Sequence, residues 1–199
     1  MMIKVCGITR RVDAEVAVDA GASALGFIFY PKSPRHVTPD DAAKLGEGLN
    51  VWKVGVFVDE TAASVEAVMR AARLDVAQIY NGETPSGVRV WRAYRLPLAE
   101  GAPAIDPTVC EAVLLDSQKN GESFDWNAVR STISADGKII VAGGLDASNV
   151  AEAIRVAKPW GVDASSKFET APGIKDHEKV RAFVKAALEA GKAVTKNGD

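Results

Sequence analysis

Two side chains that can exchange protons, Cys6 and Asp116, each close a short apolar run in this 199-residue sequence. A thiolate can remove a proton near neutral pH if neighbouring groups lower its pKa, and a partly buried carboxyl can donate one if its pKa is raised. A lone cysteine in a strand is often structural, and an aspartate after a strand can simply cap a turn. The two residues are therefore a candidate base and acid only if the fold brings them together.

Further polar residues occupy similar places along the chain. Asp163 lies inside an apolar run, where a carboxylate requires either a partner or a task. Arg35 lies in a loop rich in proline and could be a solvated charge or a cation that binds a carboxylate. Loops of glycine and serine can be plain turns, or their backbone N–H groups can bind a phosphate. The candidates of this last kind are Gly143, Gly144, Ser165 and Ser166.

Short apolar runs alternate with helical patterns along the whole chain, which predicts parallel strands covered by helices. The predicted strands are residues 3–6, 24–29, 52–58, 76–79, 88–93, 112–115, 138–142 and 161–164. With these bounds the candidate residues fall at the carboxyl ends of strands or in the loops that follow them. In a closed barrel those ends converge on one mouth, which would join the scattered residues in a single site.

Eight βα units fit either a single (β/α)₈ TIM barrel or a doubly wound open sheet, both of the α/β class. The length slightly favours the open sheet, whereas eight strands match barrel closure and no Gly-x-Gly-x-x-Gly follows the first strand. Residues 83–87 and 97–107 are rich in proline and glycine, so helices after strands four and five are expected to be short or missing. We expect one domain over residues 1–199, with a frayed tail at 192–199.

Composition excludes several classes of function. Hydrophobic residues make up 47% and charged residues 25% of the chain, with a formal net charge of −2. This is an ordinary globular balance, and it lacks the basic stripe of a nucleic-acid-binding protein and the long apolar run of a membrane span. Two cysteines and no signal segment predict a cytoplasmic protein, and two histidines without ligand spacing predict no metal site.

Seven segments resemble, in order along the chain, the motifs of phosphoribosylanthranilate isomerases. They are residues 4–9 (KVCGIT), 26–35 (GFIFYPKSPR), 54–58 (VGVFV), 114–117 (LLDS), 124–126 (FDW), 143–145 (GGL) and 162–166 (VDASS). The first two are distinctive alone, and together the seven span essentially the whole chain. The resemblance implies a TIM barrel and a cofactor-free isomerase of tryptophan biosynthesis, with a small phosphoribosyl substrate. We expect a monomer or a homodimer.

The resemblance also implies a reaction, the Amadori rearrangement of an aminoaldose to an aminoketose. In it Asp116 is the acid that opens the ribose ring, and Cys6 is the base that removes the proton at C2. By the same resemblance, we expect Arg35 to pair with the anthranilate carboxylate and Asp163 to contact the ribose hydroxyls or the amine. We expect the phosphate to be held by Gly143, Gly144, Ser165 and Ser166.

Three departures from the family pattern stand out. Tyr80 replaces the histidine that usually follows strand four, the loop after strand six is shorter, and Lys167 replaces a glycine after Ser165 and Ser166. We expect Lys167 to keep the positive φ of the glycine, with strain of about 1 kcal/mol and its side chain in solvent.

Two related barrels are alternatives to this function. A bifunctional isomerase of histidine and tryptophan biosynthesis would be expected to have an aspartate in place of Cys6 and a duplicated half-barrel. A catalytically silent barrel that only binds a sugar phosphate would be expected to lack the acid or the base. An open-sheet receiver or nucleotide-binding module would need an early acidic cluster or a glycine-rich fingerprint.

Overall fold

Eight parallel strands close into a barrel in which each strand pairs with the next along the chain and the last pairs with the first. The strands are β1 (Met2–Cys6), β2 (Ala24–Ile28), β3 (Trp52–Val58), β4 (Val76–Tyr80), β5 (Arg89–Leu96), β6 (Ala112–Ser117), β7 (Ile139–Val141) and β8 (Gly161–Ala164). The computed structural model describes residues 1–119 and 121–196. The closed sheet confirms the predicted TIM barrel and excludes the doubly wound alternative.

The described residues form six helices around the barrel. They are α1 (Arg11–Ala20), α2 (Pro39–Gly46), α3 (Ala62–Ala71), α4 (Ala128–Thr132), α5 (Val150–Ala157) and α6 (His177–Lys196). Local signals account for several ends: the Thr38 and Thr61 hydroxyls accept hydrogen bonds from the backbone N–H groups of Asp41 and Ser64. Gly21 ends α1 in the left-handed region with φ 106°, which a residue without Cβ adopts at little cost.

The helical layer is incomplete on one side, as predicted. The described residues between β4 and β5 form no helix, and those between β5 and β6 form only a 3₁₀ turn at Pro107–Val109. An antiparallel hairpin, β9 (Glu169–Ala171) and β10 (Ile174–Lys175), is inserted between β8 and α6. The sequence did not predict this hairpin, which packs beside the mouth of the barrel.

The last helix extends further than predicted. It continues to Lys196, so residues 192–196 of the predicted frayed tail are helical, and residues 197–199 lie outside the described residues. Ala190 and Val194 pack against the core and continue the apolar stripe of the helix, which explains the extension. No helix formed by the described residues is both long and apolar enough to cross a bilayer.

Successive side chains of each strand point alternately into the barrel and outward to the helices. They form two cores, an interior core inside the barrel and a helix-facing core between the strands and the helices. In β1, Ile3 and Val5 belong to the helix-facing core, whereas Met2 belongs to the interior core. Lys4 and Cys6 share the face of Met2 by this alternation, and both are buried. Two polar side chains of β1 therefore point into the barrel.

Aromatic rings fill the amino-terminal end of the barrel. The rings of Trp52, Trp91 and Trp160 pack on one another with centroid separations of 5.7 to 6.0 Å. The Arg89 guanidinium covers Trp52 and the Lys138 ammonium covers Trp160, at 4.3 and 5.0 Å from the ring centroids. This end of the barrel is a packed core.

Candidate active site

A cavity of about 410 Å³ lies at the carboxyl ends of the strands. Its volume is within the range of small-molecule sites, and its place is where TIM barrels carry their active sites. All eight residues that the sequence singled out line it: Cys6, Arg35, Asp116, Gly143, Gly144, Asp163, Ser165 and Ser166. Residues separated by up to 160 positions in the chain thus share one cavity.

The floor of the cavity contains a buried ion pair that sequence reasoning missed. Lys4 Nζ lies 2.9 Å from Asp163 Oδ1, and the two side chains are 0% and 8% exposed. The register of β1 on β8 places the two residues side by side. Asp163 therefore has the partner that its position in an apolar strand requires. Lys4 was visible in the sequence only as a lysine two residues before Cys6.

The Cys6 thiol lies on the same face of β1 as Lys4. Burial raises the pKa of Cys6 above its usual value, and the Lys4 ammonium opposes this effect without overcoming it. The direction of this shift is opposite to the lowered pKa that would favour a thiolate base near neutral pH.

This pKa can be tested by alkylation in a Cys110→Ser background. Only the thiolate reacts, so we expect the rate of Cys6 modification by iodoacetamide to rise about tenfold per pH unit between about pH 7 and 9. Mass spectrometry at timed quenches measures the rate. In urea-unfolded protein the same rate should level off near the usual thiol pKa of about 8.5. A rate in the folded protein that levels off below pH 8 would contradict the raised pKa.

Gly26 on β2 leaves the space that the Cys6 side chain occupies. The two residues are register partners, and a Cβ built at Gly26 would lie 2.6 Å from Cys6 Sγ and 3.1 Å from Lys4 Cε. No side chain fits there unless the thiol moves. The sequence contained Gly26 only as the first residue of a motif, without any indication of this contact.

Asp116 is held at both carboxylate oxygens. Its Oδ1 accepts a hydrogen bond from the backbone N–H of Ser117 at 2.8 Å, and its Oδ2 accepts one from the Tyr80 hydroxyl at 2.9 Å. Gly143 packs against this group with φ 81°, and a Cβ there would lie 2.7 Å from Ser117 N and 3.2 Å from Asp116 Oδ1. The loop after β7 therefore requires glycine at this position for close approach.

Arg35 is already engaged by a carboxylate, which the sequence did not predict. Its Nε and Nη2 donate to the two oxygens of Glu169 at 2.8 and 2.6 Å, a bidentate geometry. Lys175 Nζ donates to the same carboxylate at 2.8 Å. Burial opposes ionisation of Glu169, but the two cations outweigh it and lower the pKa of this carboxyl. The Arg35 side chain crosses over Gly7, where a Cβ would lie 2.6 Å from Arg35 Cδ.

The loops after β7 and β8 form the remaining wall. Gly144 has φ 60°, and a Cβ there would lie 2.6 Å from the carbonyl carbon of Glu122, so the loop after β6 packs directly on it. The Ser165 hydroxyl donates to the Cys6 carbonyl at 3.0 Å. These contacts join the loops of β1, β6, β7 and β8 around one side of the cavity.

The prediction of a positive φ at Lys167 is wrong. Lys167 lies in a 3₁₀ turn, Ser166–Phe168, and is not among the described residues with positive φ. The loop has adjusted to the lysine by taking a conformation open to any L residue. The exposed side chain lines the cavity, where it can add a positive charge.

A metal site requires several ligand side chains close together. Among the described residues, His, Cys, Asp and Glu side chains form no group of three or more that could hold a metal ion. The polar groups of the cavity include the Cys6 thiol, the doubly hydrogen-bonded Asp116 carboxyl, the buried ion pair and the Arg35 guanidinium. This set can move protons and bind anions.

Comparison with known proteins agrees with this geometry. The family described as N-(5'-phosphoribosyl)anthranilate (PRA) isomerase matches residues 3–186. The enzyme of that name from Solibacter usitatus is 46% identical, over 96% of this chain and 98% of its own. The crystal structure of phosphoribosyl anthranilate isomerase from Thermus thermophilus superposes with a TM-score of 0.83 at 35% identity, over 95% of this chain and 99% of that one.

A second solved structure has a ligand. It is a phosphoribosyl anthranilate isomerase in complex with reduced 1-(o-carboxyphenylamino)-1-deoxyribulose 5-phosphate, with a TM-score of 0.78 at 32% identity over 95% of this chain and 99% of that one. The family match and the relative cover nearly the whole length of the sequence. The chain belongs to the N-(5'-phosphoribosyl)anthranilate isomerase family.

Proposed function

We propose that the chain catalyses the Amadori rearrangement of N-(5'-phosphoribosyl)anthranilate to 1-(2-carboxyphenylamino)-1-deoxyribulose 5-phosphate in tryptophan biosynthesis. The observation that carries this proposal is one cavity, in a member of this family, lined by Cys6, Asp116 and Arg35. A cytoplasmic location is part of the proposal and is supported by two free cysteines, Cys6 and Cys110.

In the first step Asp116 donates a proton to the ribose ring oxygen. The bond between C1 and that oxygen breaks, and the lone pair of the anthranilate nitrogen forms the C=N bond of a protonated imine. Asp116 suits this step because its carboxyl is half-buried and held in one orientation by two hydrogen bonds. A general acid must point at the atom it protonates.

In the second step the Cys6 thiolate removes the proton at C2. The C–H electron pair forms a C1–C2 double bond, and the C=N pair returns to nitrogen. The resulting enol becomes the ketone by moving its hydroxyl proton to C1, so atoms and electrons balance without an oxidant. The protonated imine supplies the activation of C2. The nearby Lys4 ammonium lowers the free energy needed to form the thiolate, because its positive charge opposes the effect of burial on the pKa of Cys6.

The remaining residues bind the substrate. Asp163 lines the cavity beside Lys4 and is proposed to contact the ribose hydroxyls or the amine. The phosphate is proposed to lie against the loops after β7 and β8, where Lys167 adds a charge. The loop residues are Gly143, Gly144, Ser165 and Ser166. Backbone amides of such loops are well suited to phosphate.

Arg35 is proposed to bind the anthranilate carboxylate, and we expect Arg35→Ala to lower kcat/KM by about 2–3 kcal/mol, mainly through a higher KM. Glu169 uses Nε and Nη2 of Arg35, so Nη1 is the nitrogen left to face a second carboxylate. Steady-state kinetics measure the effect. Arg35→Lys keeps the positive charge but loses the planar guanidinium, so its kcat/KM should lie between those of the unsubstituted enzyme and Arg35→Ala. An Arg35→Ala enzyme with unchanged kcat/KM would mean that Arg35 does not bind the substrate.

One assay separates an enzyme from a barrel that only binds sugar phosphates. Freshly generated phosphoribosylanthranilate is mixed with the protein, and anthranilate fluorescence is followed with time. A protein-dependent loss of fluorescence that is saturable in substrate is expected. Tight binding of the product analogue without any turnover would overturn the proposal in favour of the silent barrel.

A further inference from the structure

Tyr80, the last residue of β4, forms the cavity wall next to Asp116. Its hydroxyl donates to Asp116 Oδ2 at 2.9 Å, and the Arg95 guanidinium lies 5.6 Å from the centroid of its ring. β5 separates β4 from β6 in the barrel, so this hydrogen bond joins two strands that do not pair. Residue 80 is also one of the positions at which the sequence departs from the family pattern.

The Tyr80 hydroxyl is one of two anchors on the Asp116 carboxyl. The other is the backbone N–H of Ser117, which binds the opposite oxygen. A carboxyl with one anchor can rotate about its bond to Cβ, whereas anchors on both oxygens fix the plane of the group. Removal of the hydroxyl would leave the orientation of Asp116 to the Ser117 N–H and the packing of Gly143.

The Tyr80 hydroxyl can serve Asp116 in both of its protonation states. Burial and the charges of Asp116 and Asp163 raise the pKa of Tyr80 well above its usual value, so the phenol remains protonated throughout the neutral range. A phenol is both a donor and an acceptor. It can donate to the carboxylate and, after rotation, accept from the protonated acid.

We propose that Tyr80 is a positioning residue for the acid step, whose hydroxyl holds the Asp116 carboxyl in one orientation and hydrogen-bonds to it with or without its proton. The inference rests on the proposed role of Asp116. Tyr80 acts through Asp116, so its contribution should vanish when residue 116 can no longer donate a proton.

The first test removes only the hydroxyl. Tyr80→Phe should lower kcat about tenfold and change KM no more than about threefold, the size expected for one lost hydrogen bond to a working group. The Asp116→Asn/Tyr80→Phe double variant should be no slower than Asp116→Asn alone, because the two residues form one unit. A double variant slower than Asp116→Asn by the full Tyr80→Phe factor would overturn the inference.

The second test replaces the phenol by a group that titrates. The imidazole of Tyr80→His can donate to Asp116 when neutral, so kcat above about pH 7.5 should recover to within about threefold of the unsubstituted enzyme. This imidazole is expected to take up a proton near the usual histidine pKa of about 6.5. Both of its nitrogens are then donors, and it can no longer accept a hydrogen bond from the protonated Asp116 carboxyl. We therefore expect kcat to fall between about pH 7.5 and 5.5. The unsubstituted enzyme and Tyr80→Phe should lack this fall. A Tyr80→His profile that matches that of Tyr80→Phe would overturn the inference.

Folding is checked in each variant by thermal unfolding and by binding of reduced 1-(o-carboxyphenylamino)-1-deoxyribulose 5-phosphate. The single Asp116→Asn variant separates two kinds of failure. If it turned over normally, the proposed acid would be wrong and the inference on Tyr80 would fall with it. If it were strongly impaired while Tyr80→Phe kept its full kcat, only the role of Tyr80 would be wrong.

Discussion

Replacing Cys6 by serine is expected to lower kcat by a factor of about 10² or more, with binding of a product analogue changed no more than a few-fold. Serine keeps the size of the side chain in the space next to Gly26, but its hydroxyl is a far weaker acid than a thiol and supplies no base. Asp116→Asn should cause a loss of similar size, because an amide keeps the hydrogen bond from Ser117 but cannot protonate the ring oxygen.

A matched control exists in the second cysteine. Cys110 precedes β6 at the other rim of the barrel, is not part of the cavity lining, and donates to the Ala112 carbonyl at 3.1 Å. Cys110→Ser should therefore keep the full kcat and KM, which separates loss of the base from general sensitivity to thiol removal. Turnover of Cys6→Ser close to that of the unsubstituted enzyme would mean that the base is another group.

Replacing Lys4 by methionine is expected to reduce the free energy of unfolding by about 3–5 kcal/mol. The side chain is fully buried and paired with Asp163 at 2.9 Å. Methionine fills much of the volume but leaves the Asp163 carboxylate in a site from which water is largely excluded. Urea unfolding followed by far-ultraviolet circular dichroism measures the change.

The double variant Lys4→Met/Asp163→Asn removes the stranded charge and serves as the control. We expect it to regain much of the stability lost in Lys4→Met, because the cost of a broken buried pair comes mainly from the charge that remains. If the double variant were no more stable than Lys4→Met, the loss would be due to packing around residue 4 and not to the ion pair.

Most of the barrel could be predicted because its strands are covered by helices on one face and by the interior core on the other. Such strands appear as continuous apolar runs, and the predicted ranges agree with the observed ones to within one residue at each end for every strand except β5 and β6. β5 extends to Leu96, three residues beyond the prediction, because Arg95 and Leu96 still pair with Asp116 and Ser117 of β6. Arg92, Tyr94 and Arg95 interrupt the apolar pattern there and obscure the strand.

The same property explains what was missed in the site. A run buried on both faces does not show which residues point inward, so Lys4 could not be assigned to the interior beside Cys6. The contact of Lys4 with Asp163 and that of Arg35 with Glu169 each join residues more than 130 positions apart. A single sequence does not reveal such contacts. At Lys167 the error was to assume that the backbone keeps a glycine conformation after glycine is lost.

The bidentate contact between Arg35 and Glu169 has a consequence for the entropy of substrate binding. An arginine side chain has about 2 kcal/mol of rotamer entropy to lose when it becomes ordered. Glu169, itself fixed by Lys175 of the hairpin, orders Arg35 before any substrate arrives. That loss accompanies folding and not binding. With Arg35 binding the substrate carboxylate as proposed, the hairpin β9–β10 would contribute to affinity although it lies more than 130 residues from Arg35 in the chain.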